Sequence, residues 1–143
     1  MSIETKYRIS ATATGGGRQG RVRTEDGALD LDLTPPEALG GSGTGKNPEQ
    51  LFAAGYAACY LGAMRFATSQ DKSLERVPDD ATVTATVGIG PRSDKGFGLT
   101  VDLVVSLPGV DRAEAARVAE AGHGICPYSH ATKGNIAVTT TIA

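Results

Sequence analysis

The feature that most constrains the fold is an apolar segment of helix-forming residues in the middle of the chain. It reads PEQLFAAGYAACYLGAMRFATS from Pro48 to Ser69. Asn47 suits the N-cap, Pro48 the first helical position and Gln50 the capping-box position. A helix that is apolar around most of its girth is buried on nearly all sides. A single layer of secondary structure from a 143-residue chain is too small to cover all sides of this helix. The segment therefore predicts a buried central helix packed against a partner subunit.

Alternating apolar and polar residues predict strands on both sides of this helix. Before it, strands are expected over 7–13, 21–24 and 29–33. After it, strands are expected over 83–89 and 97–105, followed by a helix capped by Asp111 that ends at Gly122 or Gly124. A short turn containing CPYSHATKGN leads to a closing strand over 136–142. The order βββ-α-ββ-α-β, with strands in blocks, predicts an α+β fold with antiparallel sheets.

Length and charge narrow the class of protein. The chain suits a single domain spanning residues 1–143. Its formal net charge is −2 and it has no run of Lys or Arg, which argues against a nucleic-acid partner. No stretch approaches the roughly 18 apolar residues of a membrane span, and the N-terminus lacks the pattern of a secretory signal. We therefore expect a cytosolic protein with no membrane partner, where a structural disulfide is unusual.

Cys59 lies in the interior of the apolar helix. It follows Asn47 by about 18 Å of helix, beyond the reach of the helix dipole. The nearest cation in sequence, Arg65, lies on a different helix face. A buried thiol in apolar surroundings has a raised pKa and is inert. These residues leave open both an inert Cys59 and a reactive one, and a reactive Cys59 needs a cation from elsewhere in the fold.

Motifs around both cysteines resemble a known family. NPEQLFAAGYAACY resembles the helix of the organic hydroperoxide resistance proteins, the Ohr branch of the Ohr/OsmC family, and CPYSHATKGNI resembles their second cysteine motif. ATATGGGRQGRV resembles their first hairpin, and VGIG with GFGLTVDL resembles their central strand pair. The resemblance covers essentially the whole chain in the right order. It implies an OsmC-like fold, with the sheets wrapped around the central helix in an intertwined homodimer.

The resemblance also implies a peroxidase that reduces organic hydroperoxides. Cys59 would be the peroxidatic cysteine and would become a sulfenic acid, and Cys126 would resolve it to a disulfide. No bound cofactor is expected. The reductant implied is an external dithiol, a dihydrolipoyl group carried by a lipoylated protein. The chain departs from the family pattern near the second cysteine, with His130 in place of Asn and Lys133 in place of Arg.

The resemblance also indicates which residue would be the cation that a reactive Cys59 needs. It implies that Arg18, in the glycine-rich first hairpin, lies beside the thiolate of Cys59 and that Glu49 of the NPEQ motif holds this arginine. A guanidinium lowers the pKa of a neighbouring thiol and stays charged at any relevant pH. Arg21 and Arg23 are nearby alternatives for the cation.

A geometric consequence follows from the helix itself. Glu49 and Cys59 are separated by about 15 Å of helix, too far to share one compact site on a straight helix. Two copies packed antiparallel, crossing near Ala54 and Gly55, would bring Glu49 of one chain towards Cys59 of the other. We expect two composite sites at an isologous dimer interface, with Arg18 and Glu49 supplied by the partner.

Three other functions are open to this sequence. The segment GGSGTGKN nearly matches a phosphate-binding loop, but Asn47 stands where that loop needs a hydroxyl to hold magnesium. A non-catalytic dimeric protein could bind a small apolar ligand at the same interface. A zinc site could use a Cys2His2 set composed of Cys59, His123, Cys126 and His130.

Overall fold

A computed structural model describes all of residues 1–143. The chain divides into two compact units, Met1–Leu51 and Phe52–Ala143, which are described in turn. The single domain expected from the length stays a prediction. No helix in the chain is both long enough and apolar enough to cross a bilayer.

The first unit contains the antiparallel meander that the sequence predicts. Strands β1 (Ala11–Thr14), β2 (Arg21–Thr24) and β3 (Asp30–Asp32) form one sheet in the order β1-β2-β3. A single 3₁₀ turn, Glu37–Leu39, follows. Position 20, at the end of the first hairpin turn, has to be glycine, because a Cβ there would lie 1.9 Å from the Thr14 carbonyl oxygen.

The first strand is shorter than its sequence pattern predicts. It begins at Ala11, and Tyr7 and Ile9 lie outside it with exposed side chains. Ala11 pairs with Thr24, the last residue of β2, and β1 has no neighbour on its other side. Residues before Ser10 therefore have no strand within the chain to pair with, since β2 ends at Thr24.

The apolar helix begins where its capping residues predict. Helix α1 spans Pro48–Gln70. The Gln50 backbone N–H donates to Asn47 Oδ1 at 2.8 Å, and the Asn47 backbone N–H donates to Gln50 Oε1 at 3.0 Å. Each residue thus satisfies the other's free amide, which is the reciprocal pattern of a capping box.

Within one chain, α1 is buried on one face only. Its buried residues include Tyr56, Tyr60, Ala63, Met64, Ala67 and Thr68. The opposite face exposes Ala54, Ala58, Gly62 and Phe66, and Phe66 is 54% exposed. The burial on nearly all sides predicted from the sequence is therefore not provided by a single chain. These four exposed residues are called the apolar stripe below.

The sheet of the second unit is mixed. Strands β4 (Thr82–Pro91) and β5 (Phe97–Ser106) form an antiparallel hairpin, as predicted. The closing strand β6 (Val138–Ile142) pairs with β5 in parallel, with Val101 opposite Val138, so the expectation of antiparallel pairing is wrong for this strand. The helices between β5 and β6 carry the chain back across the sheet, which is a crossover connection and not a hairpin.

Two helices occupy the segment between β5 and β6. Helix α2 spans Arg112–Ile125 and is capped by Asp111, which accepts a hydrogen bond from the Ala113 backbone N–H at 3.1 Å. The predicted stop at Gly122 or Gly124 is wrong, because the helix continues through both glycines. The predicted turn after Cys126 is also helical: helix α3 spans Pro127–Thr132. The core of the second unit includes Tyr56, Tyr60, Met64, Val101, Leu103, Val105 and Val118.

Candidate redox site

The second unit brings its two cysteines together. Cys59 lies on α1, and Cys126 lies at the junction between α2 and α3. Both are free thiols, and the Cys126 Sγ lies 3.6 Å from the Cys59 Sγ, with the Cys126 thiol as donor. A disulfide requires an S–S distance of about 2.05 Å, so the two sulfurs need to approach by only about 1.5 Å. The arrangement can form a disulfide without large movement of the helices.

A close contact between α1 and α2 sets this separation. Gly122 lies one helical turn before Cys126, and a Cβ at Gly122 would stand 2.5 Å from Met64 Cγ and 3.1 Å from Tyr60 Cε2. Met64 and Tyr60 follow Cys59 on α1 and are fully buried. Glycine at position 122 thus lets α2 pack directly on α1 beside the cysteine pair. Its role is close packing, which explains why it does not end the helix.

The surroundings of Cys59 within this unit oppose ionisation. Burial raises the pKa of the Cys59 thiol, and the adjacent Cys126 side chain raises it further, because two thiolates in contact would repel each other. A hydrogen bond with the backbone of Tyr128 acts in the opposite direction and lowers the pKa. These are the effects expected of a thiol in an apolar helix, so activation of Cys59 requires a positive charge in addition to these groups.

Cys126 is held as the N-cap of α3. Its sulfur accepts a hydrogen bond from the Ser129 backbone N–H at 3.4 Å, and the residue is only 1% exposed. The cap fixes the sulfur on the side facing Cys59. A buried thiol held in this way can reach Cys59 but has little access to solvent oxidants.

A chain of hydrogen bonds surrounds Ser129. Its Oγ lies 2.9 Å from the Tyr56 hydroxyl and 2.8 Å from His123 Nδ1. The other ring nitrogen of His123, Nε2, lies 2.8 Å from Thr140 Oγ1 on β6. From sequence alone, His123 is a candidate only for a zinc site. Its position three residues before Cys126, with Ser129 three residues after, is the signal that could have indicated this network.

Three aromatic rings pack beside α3. Tyr128 lies 6.2 Å from Phe52 and 5.8 Å from Tyr56, measured between ring centroids. Tyr128 is 39% exposed, whereas Tyr56 is fully buried. Gly55 faces this cluster, since a Cβ there would lie 3.1 Å from the Tyr128 hydroxyl oxygen. Of the two small residues expected at a helix crossing, Ala54 is therefore exposed and Gly55 contacts its own chain.

The first unit contains the predicted Arg18–Glu49 pair. Arg18 Nη2 lies 2.8 Å from Glu49 Oε1, and the hydrogen bond from Arg18 lowers the pKa of the Glu49 carboxyl. Glu49 Oε2 is buried and has no hydrogen-bond partner. The two alternative cations, Arg21 and Arg23, pair with Asp30 at 2.6 and 3.7 Å. Arg18 is therefore the arginine that Glu49 holds.

Sequence comparison identifies the family of this chain. Residues 41–141 match the family model of the OsmC-like proteins. Over 138 residues, covering 96% of this chain and 94% of the relative, the chain is 50% identical to the organic hydroperoxide resistance protein of Xanthomonas axonopodis pv. citri. The chain belongs to the Ohr/OsmC family.

Solved structures of Ohr proteins share the fold. An organic hydroperoxide resistance protein of Vibrio cholerae, solved with captopril in one of its active sites, is 44% identical. It matches with a TM-score of 0.90 over 99% of this chain and 95% of its own. OhrB of Bacillus subtilis is 39% identical and matches with a TM-score of 0.84 over 97% of this chain and 100% of its own. The α+β fold with two small sheets is thus the fold of Ohr proteins.

The geometry of this Ohr/OsmC protein does not favour a zinc site or a phosphate-binding loop. No group of three His, Cys, Asp or Glu side chains is placed to hold a metal ion. Both ring nitrogens of His123 are engaged by hydroxyl groups, which leaves neither for zinc. In the glycine-rich loop, Asn47 caps α1, and the Lys46 carbonyl accepts from the Thr34 backbone N–H. A strand–loop–helix phosphate site of the usual kind is therefore not formed.

Proposed function

We propose that this protein is a cysteine-dependent peroxidase that reduces organic hydroperoxides to alcohols. The observation that carries the proposal is the pair of free thiols at 3.6 Å, in a chain 50% identical to an organic hydroperoxide resistance protein. In the proposed reaction Cys59 attacks and Cys126 resolves. The partial exposure of Cys59 and the burial of Cys126 support this order, because a peroxide can reach the more accessible sulfur first.

In the first step the Cys59 thiolate attacks one oxygen of the hydroperoxide. The O–O bond breaks, the sulfur gains one oxygen to become a sulfenic acid, and the alkoxide takes up a proton to leave as an alcohol. The sulfur is oxidised and the peroxide is reduced by two electrons. Since the groups of its own unit raise the pKa of Cys59, we propose that a guanidinium keeps the thiol ionised.

The guanidinium proposed for this role is Arg18 of the partner subunit. Its own side chain is already held by Glu49 at 2.8 Å, which orients the charge before substrate arrives. The length of helix between Glu49 and Cys59 favours delivery of the pair across a homodimer. The apolar stripe gives α1 an exposed face on which a second copy of the helix can pack.

In the second step Cys126 attacks the sulfur of the Cys59 sulfenic acid. An S–S bond forms, the S–O bond breaks, and the proton of the Cys126 thiol leaves with the hydroxide as water. An external dithiol, for which we propose a dihydrolipoyl group on a lipoylated protein, then reduces the disulfide by exchange and is itself oxidised to a cyclic disulfide.

The test is consumption of an organic hydroperoxide such as cumene hydroperoxide by the purified protein. We expect turnover with dihydrolipoamide and none by the Cys59→Ser variant. The Cys126→Ser variant should react once and then accumulate sulfinic acid at Cys59. Unchanged turnover by Cys59→Ser would overturn the peroxidase proposal. Turnover with thioredoxin alone would overturn only the proposed reductant.

A further inference from the structure

The hydrogen bonds around Ser129 tie α3 to three other elements. The Ser129 side chain is bound to Tyr56 on α1 and to His123 on α2, and His123 is bound in turn to Thr140 on β6. The backbone N–H of the same serine is the donor that holds the Cys126 sulfur. Anything that fixes Ser129 therefore fixes the resolving thiol.

The donors and acceptors in this chain can be assigned in one consistent order. The Thr132 hydroxyl donates to backbone carbonyls, so it can accept from the Tyr56 hydroxyl at 3.2 Å. Tyr56 can then accept from the Ser129 hydroxyl, and Ser129 can accept from His123. This order requires a proton on Nδ1, and in the neutral imidazole that carries it Nε2 is left to accept from Thr140.

The surroundings of His123 favour that neutral form. Burial lowers the pKa of the imidazole, with the Glu120 carboxylate acting weakly in the opposite direction. Its ring also packs on Tyr60, with the ring centroids 4.5 Å apart. His123 is thus held through its ring face and at both nitrogens, as expected of a residue whose orientation matters.

We propose that His123 is a positioning residue for the resolving step, holding Ser129 and through it the Cys126 sulfur opposite Cys59. The proposal rests on the proposed peroxidase function. It concerns only the reaction of the Cys126 thiol with the Cys59 sulfenic acid, which forms the disulfide and releases water. Attack of Cys59 on the hydroperoxide involves none of these hydrogen bonds.

Loosening Cys126 should expose the sulfenic acid to a competing reaction. A second hydroperoxide can transfer its oxygen to the sulfenate of Cys59, which gives sulfinic acid and a second alcohol. Slower disulfide formation therefore appears as a larger sulfinic fraction at a given excess of hydroperoxide. This readout separates positioning of the resolving thiol from a general loss of folded protein.

Two substitutions test the two hydrogen bonds of the imidazole separately. In His123→Asn the amide can present an N–H close to the position of Nδ1 and keep the bond to Ser129. In His123→Gln the amide reaches towards the Nε2 position and keeps only the side facing Thr140. The chain has one other histidine, His130, which is exposed on α3, and His130→Ala is the matched control.

The experiment is a rapid-quench reaction of the reduced protein with cumene hydroperoxide, followed by mass spectrometry, since the chain has no Trp to report by fluorescence. We expect sulfenic acid to form at the same rate in all four proteins. Disulfide formation should slow about tenfold in His123→Gln, the effect of one lost buried hydrogen bond. It should slow less in His123→Asn and not at all in His130→Ala.

The outcomes separate the two proposals. Disulfide formation in His123→Gln at the wild-type rate, with a wild-type sulfinic fraction, would overturn the positioning role while leaving the peroxidase intact. Equal slowing of both steps would also overturn it, because that result indicates a purely structural residue. Absence of both sulfenic acid and disulfide in the wild-type protein after addition of the hydroperoxide would instead remove the proposed function.

Discussion

The contact between Gly122 and α1 allows a prediction that joins stability to chemistry. In Gly122→Ala the new Cβ would stand 2.5 Å from Met64 Cγ, so α2 or Met64 must move. Gly124 lies on the same helix, and a Cβ added there would meet no atom within 4 Å, which makes Gly124→Ala the matched control. Both substitutions gain the same helix propensity, and only the first creates an overlap.

The two effects have opposite signs in the free energy of unfolding. Replacing a helical glycine with alanine stabilises by about 1 kcal/mol, whereas overpacking a core contact costs about 1–3 kcal/mol. Gly124→Ala should therefore be stabilised by up to about 1 kcal/mol. The difference between the variants should equal the overpacking cost of about 1–3 kcal/mol, or a Tm difference of roughly 3–10 °C for a chain of this size.

The assay compares urea unfolding and disulfide formation in the two variants. Because Cys126 lies one turn beyond Gly122, moving α2 outwards should lengthen the Sγ–Sγ separation and slow disulfide formation in Gly122→Ala alone. Equal stability and equal disulfide rates in the two alanine variants would refute the conclusion that this contact sets the distance between the cysteines.

Three further predictions concern the proposed dimer and the dependence of stability on pH. A Cβ at Gly62 meets no atom of its own chain, so Gly62→Glu should leave the fold intact but convert dimer to monomer in sedimentation analysis; a persistent dimer would exclude the apolar stripe as the interface. Arg18 lowers the pKa of Glu49, so the stability difference between wild type and Glu49→Gln should be full above about pH 4.3 and vanish as the pH falls through the lowered pKa. A gap in urea unfolding that does not narrow as the pH falls below about 4.3 would contradict this. Burial lowers the pKa of His123, so wild-type stability should fall as the pH drops below about 6.5, with a smaller fall in His123→Asn and the full fall in His130→Ala; identical pH profiles in all three proteins would contradict the assignment.

Local signals predicted much of the fold. The start of α1 follows from Asn47 and Gln50, which cap each other's amides with no help from distant residues. The strands of the hairpin β4–β5 follow from alternation, because one face of each strand is more buried than the other. Such features depend on neighbours in sequence and are visible in it.

Other features depend on residues far apart in the chain. The parallel pairing of β6 with β5 depends on the path that α2 and α3 take between the two strands. The sequence of β6 itself does not indicate this direction. Gly122 is typical of a helix end in sequence, but in the structure it allows close contact with Met64, which lies 58 positions earlier in the chain (122 − 64). The roles proposed for the two cysteines rest on the resemblance of their motifs to a family. The hydrogen bond between His123 and Ser129 is visible only in the structure.

Cys59 and Cys126 are proposed to form one redox centre that reacts with organic hydroperoxides. The most direct measurement titrates the fully reduced protein with substoichiometric cumene hydroperoxide under anaerobic conditions, then counts free thiols and maps disulfides by mass spectrometry. We expect two thiols to be lost for each hydroperoxide consumed, all of them in a disulfide between Cys59 and Cys126 of the same chain. Hydroperoxide left unreacted with both thiols still free would contradict it.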